Sequence, residues 1–279
     1  LISLDYHIQK LGEGNFLLDE SRNHSYVSGN KLRKFNGILK DRKELAGLIT
    51  LGSVFSSHCL TTAFYGAYLR KPVVLIIIGN AEASARDYPH LKASLDFGAR
   101  VLFVEAANAT AFIDEQKERF SEYLWIPGGG HTAEAMEAYR LFFESLFQKH
   151  PELSQLERIL LPYGTGTTAS GICQAIHTQQ LPARVTGVSV ARNKERCLEA
   201  ARDFISSADE LAMLDIVEDY AGRYHERTEA TEAARQRFFV ETGVLPDPVY
   251  NAKSIEYFYR KEMKNTLVVN TGGMLNNLL

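Results

Sequence analysis

Arg158-Ile159-Leu160-Leu161-Pro162-Tyr163 runs straight into Gly164-Thr165-Gly166-Thr167-Thr168-Ala169-Ser170-Gly171, and the reading of this stretch decides the fold. Its first half is an apolar run of strand length. Its second half turns on two glycines into a helical pattern at about 168–179. A buried strand that feeds a helix through a tight glycine turn is the unit of a parallel sheet with crossover helices. In such a turn successive backbone N–H groups point inward, the helix start adds the positive end of its dipole, and threonine hydroxyls can donate, which together make a cup for a phosphate. The same letters satisfy the dinucleotide fingerprint G-x-G-x-x-A, which also requires an acidic residue at the end of the next strand. That strand, 184–190, is followed by Ala191-Arg192, which removes an NAD reading and leaves an NADP-binding reductase as a weak rival. A Gly/Thr turn with no ligand is the plain alternative.

The pattern repeats along the chain. Strands are expected at 15–18, 47–51, 72–78, 99–105, 122–126, 158–163, 184–190, 213–218 and 266–270, with helical patterns from 32 and at about 57–70, 87–97, 109–120, 131–148, 168–179, 193–206, 227–242 and 253–263. The fold class is therefore α/β. A length of 279 residues suits one large domain or two lobes, and the polar stretch 148–154 interrupts the pattern near the middle. With 45% hydrophobic and 23% charged residues the composition is that of a globular protein. The longest purely apolar run, Val73 to Ile78, is far short of the roughly 20 residues that cross a bilayer. A net charge of -3 with both signs interleaved offers no basic stripe for nucleic acid. Cys59, Cys173 and Cys197 are odd in number and widely spaced, which fits neither a disulfide framework nor a zinc pattern, so a reducing cytoplasm is the expected location. The chain opens on Leu1 without the charged and apolar regions of a signal peptide.

Five further motifs carry possible chemistry. Ser28-Gly29-Asn30-Lys31-Leu32-Arg33-Lys34 sets a lysine at a flexible corner before an amphipathic run. Partial desolvation there would lower the amine's pKa and make Lys31 a nucleophile for imine chemistry, although a basic cluster at a helix start is more often plain solvated surface. Gly52-Ser53-Val54-Phe55-Ser56-Ser57-His58 brings hydroxyls and free N–H groups to a helix start, suited to a carboxylate, with ordinary N-capping as the alternative. Trp125-Ile126-Pro127-Gly128-Gly129-Gly130-His131 permits close approach to a ligand, or a mere turn. Asp247-Pro248-Val249-Tyr250 presents a tyrosine at a helix start, and Asn270-Thr271-Gly272-Gly273 follows the last strand.

Taken together and in order, these motifs resemble the pyridoxal-phosphate enzymes of the tryptophan-synthase-β fold (fold type II), and among them the group of 1-aminocyclopropane-1-carboxylate deaminase and D-cysteine desulfhydrase. The similarity runs from about Ser28 to Gly273. It implies two α/β lobes, a larger cofactor-binding one from 1–34 plus 141–279 and a smaller inserted one from 35–140, each a mainly parallel sheet flanked by helices. It implies pyridoxal 5'-phosphate bound covalently by Lys31, with Asn30, Ser57, Thr165, Gly166, Thr167, Thr168, Asn251 and Thr271 around it. By the same resemblance Ser56, Tyr250 and Tyr224 join Lys31 in catalysis, Ser56, Ser57, His58, Gly129 and Tyr250 contact a small amino-acid substrate, and the protein is a homodimer. No metal is expected.

The departures from the family set the expected reaction. Ser57 stands where the family has an asparagine toward the cofactor's phenolic oxygen, and Asn251 stands where the deaminases have a glutamate toward the pyridine nitrogen. Thr271 precedes Gly-Gly as in the desulfhydrases, and the acidic pair that the family carries ahead of the lysine corner is expected to be missing. A neutral partner leaves the ring a weaker electron sink, sufficient to expel a thiol and less suited to opening a cyclopropane. The expectation is a lyase that eliminates from D-cysteine to give pyruvate, ammonia and sulfide. Ring deamination is the runner-up, and a cofactor-binding protein with little turnover is the reading from another class.

Overall fold

In the computed structural model, which describes residues 1–42, 44–79, 87–224 and 226–278, the chain builds two sheets. The larger runs β1 (His7–Lys10), β2 (Phe16–Asp19), β10 (Thr266–Asn270), β7 (Arg158–Tyr163), β8 (Arg184–Ser189), β9 (Leu214–Val217). The smaller runs β5 (Arg100–Val104), β4 (Val73–Ile78), β3 (Leu48–Gly52), β6 (Leu124–Ile126). Every pairing is parallel except that of β1 with β2, where His7 faces Asp19 and Lys10 faces Phe16. All the expected strands are present, and β1 is an addition. It is a short, half-exposed edge strand, so its sequence lacks the apolar run that marks a buried one, and pairing with β2 creates it.

The helices are α1 (Asn30–Leu39), α2 (Ser57–Leu69), α3 (Pro89–Asp96), α4 (Ala109–Arg119), α5 (Ala133–Lys149), α6 (Thr167–Thr178), α7 (Lys194–Arg202), α8 (Ala208–Ala212), α9 (Glu229–Thr242) and α10 (Asn251–Arg260). The pattern at 193–206 ends early, and α8 starts afresh on a Ser207 cap. Helix α10 starts at Asn251 rather than 253, because the Asp247 carboxylate accepts the backbone N–H groups of Val249, Tyr250 and Asn251 at 2.8–3.0 Å. Tyr139, Phe143 and Ile172 of α5 and α6 pack with Leu161, Val185 and Val269 on one face of the larger sheet, while Phe238 and Ile255 of α9 and α10 cover Leu160 and Val268 on the other. The smaller sheet is sandwiched likewise, with Leu32 and Phe35 of α1 and Leu60 and Ala63 of α2 against Leu48, Leu75 and Ile77. Positions 34/35 and 140/141 fall inside α1 and α5.

Pro162 sits within β7 without breaking it. Strand β10 pairs with β7 only at Arg158–Leu160, so the missing N–H of Pro162 lies beyond that ladder. The carboxyl ends of β3, β6, β7 and β10 open on one crevice between the sheets, and their loops line it. Two glycines allow the loop ahead of α1 to reach the end of β10. Gly29 and Gly272 bridge each other at φ 102° and 87°. A Cβ on Gly29 would meet the Thr271 oxygen at 2.4 Å, and one on Gly272 would meet the Gly29 Cα at 2.3 Å.

Candidate active site

The crevice holds a cavity of about 220 Å³. One wall is the turn after β7, where Gly164, Thr165, Gly166 and Thr168 line the cavity. Helix α6 has Gly166 as its N-cap and so no side-chain cap, and its first N–H groups are left for whatever occupies the cup. Thr168 Oγ1 accepts from Asn30 Nδ2 at 3.3 Å, which keeps its own proton available. The Asn30 backbone N–H in turn donates to the Thr271 carbonyl at 2.9 Å, so one residue ties the lysine corner to both loops of the larger sheet.

Lys31 lies in the first turn of α1 and its ammonium donates to Asn30 Oδ1 at 2.9 Å. Burial lowers its pKa to about 8, against the pull of the Asp247 and Glu20 carboxylates. Lys34, one turn on, is also buried in the cavity lining and donates to the Gly129 carbonyl at 3.1 Å. Burial and the neighbouring Lys31 hold it well below the usual lysine range. Below them lies His58. The Thr50 hydroxyl gives its proton to the Ile126 carbonyl, so His58 Nε2 must donate to Thr50, at 2.7 Å, leaving Nδ1 as a bare acceptor without a partner among the described residues. Burial and both lysines keep this ring neutral.

The opposite wall is acidic. Tyr250 and Tyr224 share a short hydroxyl-to-hydroxyl hydrogen bond, and burial raises both phenols. Beside them Asp247 lines the cavity while almost fully buried, and burial raises its carboxyl despite the N–H groups it accepts. Lys253 reaches back from α10 to donate to the Tyr224 carbonyl at 3.0 Å and to that of Arg223, which fixes the segment that carries Tyr224. Between the walls, Ser56 Oγ accepts from Cys59 N at 3.2 Å and so caps α2, while still lining the cavity. Ser57 Oγ lies 3.3 Å from His90 Nε2, a histidine of α3 held neutral by burial at a pKa of about 4.

Lys31, Asn30, Ser56, Ser57, His58, Gly129, Thr165, Gly166, Thr168, Tyr224, Tyr250 and Thr271 thus come together around one cavity. Two expected cofactor contacts do not line it. The Thr167 side chain turns away to His131 and Thr165. Asn251 is fully engaged: its amide donates to Asp247 and to the Gly272 carbonyl at 2.9 Å, and its oxygen accepts from Thr271 N at 3.0 Å and Thr271 Oγ1 at 3.3 Å. Its position holds Thr271 rather than facing the cavity. The acid that reaches the cavity is Asp247, which the sequence reading passed over as part of a tyrosine motif. Lys34 is buried at the site rather than solvated. Asp19 and Glu20 are an acidic pair ahead of the lysine corner after all. They are buried at the end of β2, where Glu20 takes Arg33 at 2.7 Å and the Tyr139 hydroxyl. Their short spacing from apolar Leu17-Leu18 was the available signal.

The family model of the pyridoxal-phosphate dependent enzymes matches residues 1–272. The chain belongs to that family. Among its relatives, the D-cysteine desulfhydrase of Serratia proteamaculans (strain 568) is 27% identical over 250 residues, covering 82% of this chain and 75% of that protein. The bifunctional D-cysteine desulfhydrase/1-aminocyclopropane-1-carboxylate deaminase, mitochondrial, of Arabidopsis thaliana is 25% identical over 281 residues, covering 89% and 69%. The solved structure of an ACC deaminase homologue superposes with a TM-score of 0.81 at 21% identity, covering 95% of this chain and 86% of that one, which shows the fold type II architecture. The cofactor of this enzyme is pyridoxal phosphate. The donor set fits it: an uncapped helix start with hydroxyls for a phosphate, and a desolvated amine for a carbonyl. No described helix is long and apolar enough to cross a membrane, and no described cluster of His, Cys, Asp or Glu could hold a metal.

Proposed function

We propose that this enzyme is a lyase that removes a β-leaving group from a small amino acid, with D-cysteine as leading substrate: D-cysteine and water go in, and pyruvate, ammonia and hydrogen sulfide come out. The observation that carries the reading is the placement of the Lys31 amine, with its pKa lowered to about 8, between the cup after β7 and the Tyr224–Tyr250 pair in one cavity. The names of the relatives support the substrate class.

When bound, pyridoxal phosphate supplies the sink for the electron pair left as the α-proton departs. Gly166, Thr165 and Thr168 would hold the phosphate. Thr167 and Asn251 act one step back, through Thr165 and Thr271. Lys31 would hold the cofactor by its carbonyl group, and its amine, when free, would move the substrate's α-proton, which its lowered pKa favours. Such positioned proton transfer contributes about 10²–10⁴-fold in rate. Ser56 and Ser57 offer hydroxyls to the substrate carboxylate beside the α2 start, with Gly129 and the neutral His58 shaping the floor. Tyr250, its phenol kept protonated by burial, gives a proton to the departing sulfur, and Tyr224 orients it.

The test is incubation of purified holoenzyme with D-cysteine, L-cysteine and 1-aminocyclopropane-1-carboxylate. Pyruvate and sulfide in equal amounts from D-cysteine is the expected outcome; ring opening without any sulfide overturns it. Ring deamination stays as the second reading because Asp247 puts a carboxylate in the cavity lining, which the argument from a neutral Asn251 had discounted. We further propose that the lobes divide at 34/35 and 140/141, with α1 and α5 as the crossings, that the enzyme is a homodimer, and that it works in the cytoplasm, a location supported by three free, buried cysteines.

A further inference from the structure

His131, which the sequence reading left without a role, closes a hydrogen-bonded chain that runs from the surface to the phosphate cup. Its Nε2 lies 2.8 Å from Asp203 Oδ2, its Nδ1 lies 3.1 Å from Thr167 Oγ1, and Thr167 Oγ1 lies 3.3 Å from Thr165 Oγ1. Asp203 is solvent-exposed at one end and Thr165 lines the cavity at the other. The ring is fixed between them by Phe204, whose centroid is 4.5 Å away.

Each hydroxyl has one proton to give, so the chain has a direction, and the imidazole sets it. A carboxylate only accepts, so Nε2 carries a proton in either state. In the neutral ring Nδ1 is then bare. Thr167 must donate to it and Thr165 must donate to Thr167, which leaves Thr165 with lone pairs alone toward the cavity. In the protonated ring Nδ1–H donates to Thr167, Thr167 donates to Thr165, and the Thr165 proton is free for an anion. Thr168 has no such dependence, since it accepts from an amide that cannot reverse.

We propose that His131 is a positioning residue of the phosphate cup and that a phosphate monoester binding there takes up a proton at its imidazole. The inference rests on the cup after β7 being the phosphate site. The groups that bear on the ring are few. Asp203 comes from the segment after α7 and Thr167 from α6. On its own side, Glu134 of the first turn of α5 is paired with Arg42, and Lys34 of α1 reaches the Gly129 carbonyl two residues earlier. Asp203 is the one charged group bonded to the ring among the described residues. By linkage, a ligand that takes up one proton loses affinity about ten-fold per pH unit above the pH at which the free site gives that proton up.

The experiment titrates apoprotein with pyridoxine 5'-phosphate, which has no aldehyde and so cannot react with Lys31. Binding is measured across the pH range in which the His131 ring signal, followed by NMR, loses its proton. His131→Gln, which does not titrate there, serves as reference and cancels the ionisation of the ligand's own phosphate. The wild-type affinity is expected to fall relative to His131→Gln by up to about ten-fold per pH unit, and the His131 signal to titrate at higher pH with ligand bound than without. Asp203→Asn, a change at an exposed side chain, removes the acceptor that fixes the proton on Nε2, so the neutral ring can carry its proton on Nδ1 and donate to Thr167; it is expected to shrink the difference between the wild-type and His131→Gln profiles while leaving the low-pH affinity within about two-fold. Parallel pH profiles for wild type and His131→Gln, or a ring titration indifferent to ligand, overturn the proposal while the cup stands. Failure of the wild type to bind at any pH overturns the cup and the proposal together.

Discussion

The two walls of the cavity respond to the same physics with opposite sign. On the α1 side stand three bases, Lys31, Lys34 and His58, all pushed down by burial and the two outer ones also by Lys31. On the α10 side stand three acids, Tyr224, Tyr250 and Asp247, all pushed up by burial. Desolvation disfavours whichever form is charged, so it drives the bases to lose protons and the acids to keep them. The pocket therefore pairs a deprotonation-prone amine with two protonated phenols across one small space. That is the condition for moving a proton off one carbon and delivering another to a leaving group. The walls differ in their links. Among the described residues the Lys31 amine donates to Asn30 alone; Asp247 is held by three backbone N–H groups, Asn251 and Asn276, and is built in.

Replacing Lys31 tests the basic wall most severely. Lys31→Ala is expected to lower sulfide release from D-cysteine by about a thousand-fold or more and to abolish the yellow colour of the holoenzyme; an absorption spectrum and a sulfide assay read both. Asp247→Asn tests the acidic wall. It places a donor against N–H donors in a buried site and is expected to cost about 2–4 kcal/mol in urea unfolding. Tyr250→Phe keeps the packing and removes the proton donor, so kcat on D-cysteine is expected to fall about a hundred-fold, and that of Tyr224→Phe by less. Equal losses from the two would mean that the pair acts as one group and would erase the distinction between donor and orienter.

The pH dependence probes both walls at once. Capture of pyridoxal phosphate by apoprotein needs the free Lys31 amine. Its rate is expected to climb about ten-fold per pH unit below 8 and to level off above, since the pKa is lowered to about 8 from 10.5. An ordinary lysine would keep climbing past pH 10. Because Asp247 pulls the Lys31 pKa up, Asp247→Asn is expected to move that break further down, a result that would show the walls to be coupled. The smallest effect is reserved for Lys253→Met. Loss of its bonds to the Arg223 and Tyr224 carbonyls is expected to lower kcat by about two- to five-fold through a looser Tyr224, with KM for D-cysteine little changed.

Much of this was legible from the chain alone. The alternation of apolar strands with helical patterns required α/β, because parallel strands buried on both faces must be apolar throughout and must be joined by helices. Motifs at the ends of β3, β7 and β10 foretold a site, since ligands in open parallel sheets bind outside the carboxyl ends of the strands. Lys31, Ser56, Thr165 and Tyr250 were named on local spacing and on resemblance, and all line the cavity. Tertiary structure alone decided which side chains face in. Asn251 and Thr167 sit within a residue or two of cavity-lining neighbours, yet their amide and hydroxyl are taken up by Thr271 and His131, partners 20 and 36 residues away. Asp247, Lys34 and His131 gained their places the same way. A motif constrains the backbone nearby, whereas burial, and with it every shifted pKa here, is set by atoms that only the folded chain brings within reach.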